Sequence, residues 1–154
     1  MSPPKLIGPK TIGFEIKSLG NLITRCLHES AARSGLAGLT GVQGWIIGYL
    51  YAHRDGPDIF QRDLEKAFKI RRSTATGLLQ AMERKGFITR EPVGYDGRLK
   101  RLRLTPKAIT HHELILEKIQ EVEERLRRGL SEEEVNTFYQ LMEKLKRNLE
   151  KVDP

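Results

Sequence analysis

The chain is short of most features that mark an enzyme, a secreted protein or a membrane protein. It has one cysteine, Cys26, which excludes an intrachain disulfide. No apolar run approaches the roughly 18 residues of a bilayer-crossing helix, so no membrane association is expected. The N-terminus lacks the apolar core of a signal peptide, which makes the cytoplasm the expected compartment. There is no glycine-rich phosphate loop and no nucleophile motif, and the acidic segments Glu121 to Glu124 and Glu132 to Glu134 read as solvated helix faces. No enzyme is expected. Histidine is limited to His28, His53, His111 and His112. The last two are adjacent, hence about 100° apart on a helix, and no cysteine or carboxylate completes a ligand spacing. They are expected in structural or solvent-facing roles, with no metal and no cofactor. Aromatic residues make up only 6%, with a single tryptophan, Trp45, which reads as core packing, or alternatively as the lining of a ligand cleft.

What the chain does have is charge, unevenly placed. Its 154 residues are one domain's worth, and 38% hydrophobic with 31% charged content suits a globular fold. The formal net charge is +7. Residues 69–103 hold ten lysines and arginines against three acids, an excess of seven, and the other 119 residues hold 17 of each sign. The whole excess therefore sits in one segment, and a local positive field of this kind attracts a polyanion.

That segment belongs to a stretch from Asp58 to Leu104 that orders as helix, tight turn, helix and hairpin. Asp58, after Gly56-Pro57 and three residues before Gln61, predicts a capping box that opens a helix running to about Phe68. Lys69-Ile70 makes the turn. In the next helix Ala75, Leu78, Leu79 and Met82 recur at i, i+3, i+4, i+7 and must face a core. The opposite face carries Ser73, Thr76, Gly77, Gln80 and Arg84, hydrogen-bonding side chains without an acid. Gly86 is placed to stop this helix in a left-handed cap. A strand over Phe87–Glu91, a turn over Pro92–Gly97 with an Asp-Gly signal, and a return strand to Leu104 complete the hairpin. In the return strand Leu102 and Leu104 alternate with Arg101 and Arg103, leucine to one face and guanidinium to the other, and the tip adds Arg98 and Lys100.

The flanks are helical. Met1 to Lys10, with Pro3, Pro4 and Pro9, reads as an extended arm. Residues 11–34 place Ile16, Leu19, Ile23, Cys26 and Leu27 on one stripe, closed by Gly35, with Cys26 as a small buried hydrophobe. Activation of its thiol would need exposure and a cation, and Arg25 points elsewhere around the helix. Thr40 with Gln43 predicts a capping box opening a helix to about His53 that carries Val42, Trp45, Ile46, Tyr49 and Leu50. After the hairpin, Thr105-Pro106 gives an N-cap and a proline at the first helical position. Ile115, Ile119, Val122 and Leu126 then form a seam to about Arg128, Gly129 breaks it, and Ser131 with Glu134 opens a last helix whose stripe is Val135, Phe138, Leu141, Met142, Leu145 and Leu149. Stripes of this length at both ends predict dimerisation helices over 11–34 and 105–151, flanking a winged helix-turn-helix over 40–104 in one domain that spans 1–154.

Asp63-Leu64 through Thr89-Arg90, with Ser73-Thr74-Ala75-Thr76, Met82-Glu83-Arg84-Lys85-Gly86, Asp96-Gly97-Arg98 and Leu104-Thr105, resembles the MarR family of bacterial transcriptional regulators. The resemblance implies a mainly α fold with a small β-hairpin wing, and a homodimer on a pseudo-palindromic double-stranded DNA operator. It also implies release or modulation by a small, often aromatic effector. Arg98 would enter the minor groove with Asp96 supporting the wing. Two positions depart from the family pattern: Arg71 stands where a small capping residue is usual, and Gly77 where a long side chain is usual.

The reading is a DNA-binding regulator, most simply a repressor. Ser73, Thr74, Thr76 and Gln80 would contact base edges, Arg71, Arg72 and Arg84 phosphates or bases, and Arg98, Lys100 and Arg101 the minor groove and its phosphates. The resemblance also implies an effector pocket between the dimer helices and the DNA-reading unit, for which His28, Trp45 and Tyr49 are the candidates here. The alternative is a winged-helix module whose basic hairpin binds an acidic protein.

Overall fold

The computed structural model describes residues 10–33 and 41–150. Their elements run α1 (Ile12–Arg33), α2 (Gly41–Ala52), α3 (Gln61–Phe68), α4 (Arg72–Arg84), β1 (Ile88–Val93), β2 (Asp96–Leu104), α5 (Pro106–Arg127) and α6 (Glu132–Glu150). This is the expected class, mainly α with one antiparallel hairpin, a winged helix-turn-helix between terminal helices. The chain divides into two compact units, 1–118 and 119–154. The expected arm before Lys10, the stop at Gly35 and the Thr40 half of a capping box lie outside the described residues.

In the first unit one core is shared by α2 (Ile46, Ile47, Leu50), α3 (Leu64), α4 (Leu79, Met82), the hairpin (Phe87, Ile88, Leu102) and Ala108 at the start of α5. Each large side chain buried this fully contributes about 1.5–3 kcal/mol relative to exposure, so the core fixes how α4 is presented. Local chemistry sets the ends. Lys69 takes a left-handed conformation, φ 54°, and turns the chain sharply between α3 and α4. After α4, Gly86 has φ 77° and Phe87 N–H donates to Met82 O at 2.9 Å, the six-to-one bond that closes a helix on glycine. Thr105 Oγ1 accepts from Ala108 N–H at 3.2 Å and donates to Gly86 O at 2.6 Å, so the N-cap of α5 is tied to the end of α4.

Several expectations need correction. The first helix of the helix-turn-helix starts at Gln61, not Asp58, and Phe60 is its N-cap. The carboxylate that satisfies the cap is Asp63, which accepts from Phe60 N–H at 2.8 Å. Asp58 instead faces Arg101. The hairpin turns at Gly94-Tyr95 rather than through Asp96-Gly97, because Val93 pairs with Asp96 and β1 extends past Pro92. Pro92 pairs with Lys100, which leaves Gly97, Arg98 and Leu99 without partners in β1. Such an irregularity re-aims side chains near a strand end. Leu102 N–H also donates to Ile59 O at 2.8 Å, a strand-like bond that pins the hairpin to the segment before α3.

Trp45 is 50% exposed, so it is not core; the interior of α2 is filled by Gln43, Ile46, Ile47 and Leu50. Cys26 is only half-buried. Along α1, Ile12, Phe14, Ile16, Leu19 and Leu22 are all exposed. In the second unit Gly129 (φ 82°) ends the helix before it, and Ser131 Oγ accepts from Glu134 N–H at 3.1 Å, as the capping signature predicts. Val122 and Val135 are buried there, whereas Leu126, Leu130, Phe138, Tyr139, Leu141 and Leu149 are exposed.

Candidate nucleic-acid interface

The 3.6-residue period of α4 sorts its side chains as predicted. Ala75, Leu79 and Met82 are buried, and Arg72, Ser73, Thr74, Gly77, Gln80 and Arg84 are exposed. Arg71 is the N-cap, extended at φ −74°, ψ 155°, and its side chain makes no capping bond. Arg71 thus supplies no acceptor to the first-turn N–H groups of α4, a helix end that suits an anion.

Thr76 differs from its neighbours. It is half-buried, and its hydroxyl accepts from Gln61 Nε2 at 2.9 Å; the same nitrogen lies 3.4 Å from Arg72 O. Two acceptors around one nitrogen fix the amide orientation, and the bond holds the Thr76 rotamer from the neighbouring helix. Sequence reasoning used Gln61 only as a capping residue and missed this contact. Fifteen positions separate the pair, and no periodicity signals it.

On the hairpin, Arg98 and Lys100 are exposed, and the Asp96 carboxylate accepts from Arg98 N–H at 2.9 Å, shaping the irregular segment that carries Arg98. Arg101 is placed differently. Its Nε donates to Glu91 Oε2 at 2.9 Å and its Nη1 lies 3.7 Å from Asp58, while Arg103 Nε reaches the same Glu91 oxygen at 3.2 Å. Arg90 pairs with Glu83 at 3.1 Å. By contrast Arg71, Arg72, Arg84, Arg98 and Lys100 form no ion pair with any described residue. These eight cations thus divide into an outward set of five on α4 and the hairpin end, and a set of three, Arg90, Arg101 and Arg103, paired with carboxylates toward the hairpin base.

His28 is exposed on α1, and no hydrogen bond or ring contact among the described residues joins it to Trp45 or Tyr49. The Tyr49 ring stacks on His53 at 4.3 Å and meets Phe68 edge-on at 5.8 Å. His111 and His112 are both buried, each 5% exposed. Being adjacent on α5 they face different neighbours: His111 meets Phe87 edge-on at 5.7 Å, and His112 lies on Tyr51 at 4.5 Å. Burial lowers the His112 pKa, helped by His111 and Arg54 and opposed by Glu113. Among the described residues no three histidine, cysteine, aspartate or glutamate side chains gather to hold a metal, and no helix is long and apolar enough to cross a membrane.

A sequence model of the MarR family matches residues 37–99, from before α2 to the irregular end of the hairpin. Among solved structures, the transcription regulator MarR from Oenococcus oeni PSU-1 is 33% identical, with 91% of this chain and 96% of that one covered and a TM-score of 0.70. MepR of S. aureus, solved as a DNA complex, is 27% identical over 90% of this chain and 96% of that one, with a TM-score of 0.77. The same regulator in a DNA-binding conformation is 28% identical over 90% and 98%, again with a TM-score of 0.77. With a third of its residues shared over nearly the full length of both chains, and with the helix-turn-helix and hairpin in the same order, this chain belongs to the MarR family of transcriptional regulators, a family that does not consist of enzymes.

Proposed function

We propose that this regulator binds double-stranded DNA sequence-specifically as a homodimer and acts as a ligand-responsive repressor. One observation carries the reading. The exposed face of α4 places Ser73, Thr74 and Gln80 between Arg71 and Arg72 at one end and Arg84 at the other, with none of those guanidinium groups held by a carboxylate of the described residues.

Each part has a task in a duplex groove. Gln80 has the donor and acceptor pair that reads adenine in the major groove, and serine or threonine hydroxyls bond to any base edge. Thr76, whose oxygen already accepts from Gln61, has its own proton left to offer to an acceptor. Arg71, Arg72 and Arg84 bond phosphates or flanking bases, and the uncapped N-terminus of α4 adds N–H groups for a phosphate. Arg98 and Lys100 extend the contact to the minor groove, where a narrow A·T tract attracts cations. That MepR of S. aureus was solved with DNA supports the assignment for a relative of this likeness.

The dimer follows from the apolar side chains left exposed on α1 and on α6, since exposed stripes of this length find a partner. A two-fold pair presents two α4 helices at a fixed spacing, which suits an inverted repeat with half-sites about one helical turn apart. An effector then works by binding one dimer shape better than another. Trp45, exposed on α2, His28, exposed on α1, and the half-buried Tyr49 are the candidates for meeting it.

Selection of bound sequences from a random duplex pool tests base readout and two-fold geometry together, and the expected result is an inverted repeat. Light scattering is expected to give twice the 17.6 kDa chain mass. Affinity for duplex should fall steeply with salt. No binding to duplex at low salt, with binding to an acidic protein instead, would sink the reading.

A further inference from the structure

The outward face of the hairpin base holds a charge cluster that DNA binding as proposed above does not use. On β2, Arg101 and Arg103 are two residues apart and project from the same face of the strand. Glu91 stands directly opposite Arg101 in the register, and one of its oxygens, Oε2, accepts from Arg101 Nε at 2.9 Å and forms an ion pair with Arg103, whose Nε lies 3.2 Å away. Asp58, from the segment before α3, lies 3.7 Å from the Nη1 of Arg101. Two cations meet two anions, and the cluster has no net charge. The other end of the hairpin is built the opposite way. Asp96 bonds the backbone N–H of Arg98 and not its guanidinium, so the Arg98 charge stays outward.

We propose that Glu91 is a positioning residue that withholds Arg101 and Arg103 from the nucleic-acid backbone, and thereby keeps the non-specific affinity of this regulator low. The inference rests on the DNA-binding reading above. Non-specific binding consists almost wholly of cation–phosphate contacts, each of which steepens the salt dependence by about 0.9 per phosphate neutralised. A hairpin with Arg98, Lys100, Arg101 and Arg103 all outward would grip any duplex. With two of the four held by one carboxylate, the base of the hairpin adds little sequence-independent attraction, and the ratio of specific to non-specific binding rises. The cluster is a third to a half exposed, so its worth in stability is small and its effect lies in where the guanidinium groups point. The charge count of the sequence assigns Arg101 to the DNA; the geometry assigns it to Glu91.

The test is the salt dependence of binding to a random-sequence duplex, measured on the full chain. Glu91→Gln frees both arginines and is expected to steepen the slope by about one to two units per copy and to tighten non-specific binding. Glu91→Thr, a strand-favouring replacement, is expected to do the same. Adding Arg103→Gln to Glu91→Gln should remove about half the gain. Glu91→Asp, which keeps the charge, should retain the slope of the unaltered protein. Glu117→Gln, an equal change in net charge at an exposed position of α5, should leave it unchanged. If the unaltered protein binds duplex and Glu91→Gln or Glu91→Thr is no steeper than Glu117→Gln, the inference is overturned and the DNA-binding reading survives. If the unaltered protein does not bind duplex at low salt, the reading itself fails.

Discussion

The helix-turn-helix body and the last helix treat the same kind of pattern in opposite ways. In α4 the stripe Ala75, Leu79 and Met82 is buried, and Leu79 and Met82 join the core shared with α2, α3 and the hairpin. In α6 a stripe of similar spacing buries only Val135, and leaves Phe138, Leu141 and Leu149 exposed. Amphipathic spacing states that a helix needs a partner, but it does not state which chain supplies it. The body finds its partner within one chain; α6, like α1, has apolar surface left over, and there the proposed second copy would sit.

The contrast can be broken at either side. Leu79→Ala opens a cavity in the body and is expected to cost about 2–5 kcal/mol, read as a lower denaturant midpoint; a loss under 1 kcal/mol would mean that this core is not close-packed. Leu19→Glu on α1 should leave the body folded, because Leu19 is exposed in the chain, yet bring the mass in light scattering down from two chains to one. A dimer that tolerates the buried charge would place the interface elsewhere. Arg98→Ala should lower the salt slope of duplex binding by about one unit per copy without moving the melting temperature. Gly77→Ala should raise stability by about 1 kcal/mol, since a Cβ there has nothing within 4 Å and a mid-helix glycine is costly. A fall in melting temperature would show that the glycine serves packing.

The smallest effect concerns pH. The lowered pKa of His112 means that the folded chain favours the neutral imidazole and the unfolded chain binds the proton more readily. Its contribution is therefore complete above the unfolded value of about 6.5 and declines as pH falls from there through the lower folded value. Thermal melts of the unaltered protein should drop across that window. In His112→Phe, which keeps a ring against Tyr51, the decline should be shallower; parallel curves would remove His112 from the account.

Much of this architecture was legible from local patterns. The stripe of α4, the glycine stop at Gly86, the Thr105 cap and the break at Gly129 each depend on residues within a turn or two, where backbone geometry and side-chain type suffice. The start of α3 was misplaced because two acids, Asp58 and Asp63, could each serve a cap, and only the fold directs Asp58 to the hairpin. The hairpin turn lies within the expected span 92–97 but is tighter, on Gly94-Tyr95 two residues before the Asp-Gly signal, because the pairing of Val93 with Asp96 selects that pair. Trp45 was read inward because tryptophan is apolar, but Gln43, Ile46, Ile47 and Leu50 already fill that side of α2.

The candidate site divides along the same line. Sequence alone determined that the excess positive charge lies in residues 69–103, and that one face of α4 carries polar groups without an acid, because composition and helical period are properties of the chain in one dimension. Which of those cations face outward was decided only by the tertiary structure. Strand pairing set Glu91 against Arg101, and the segment before α3 brought Asp58 to the same guanidinium, so that a charge counted as available is already neutralised. Ion pairs depend on distances across the fold, and those distances come into being only when the hairpin closes and docks.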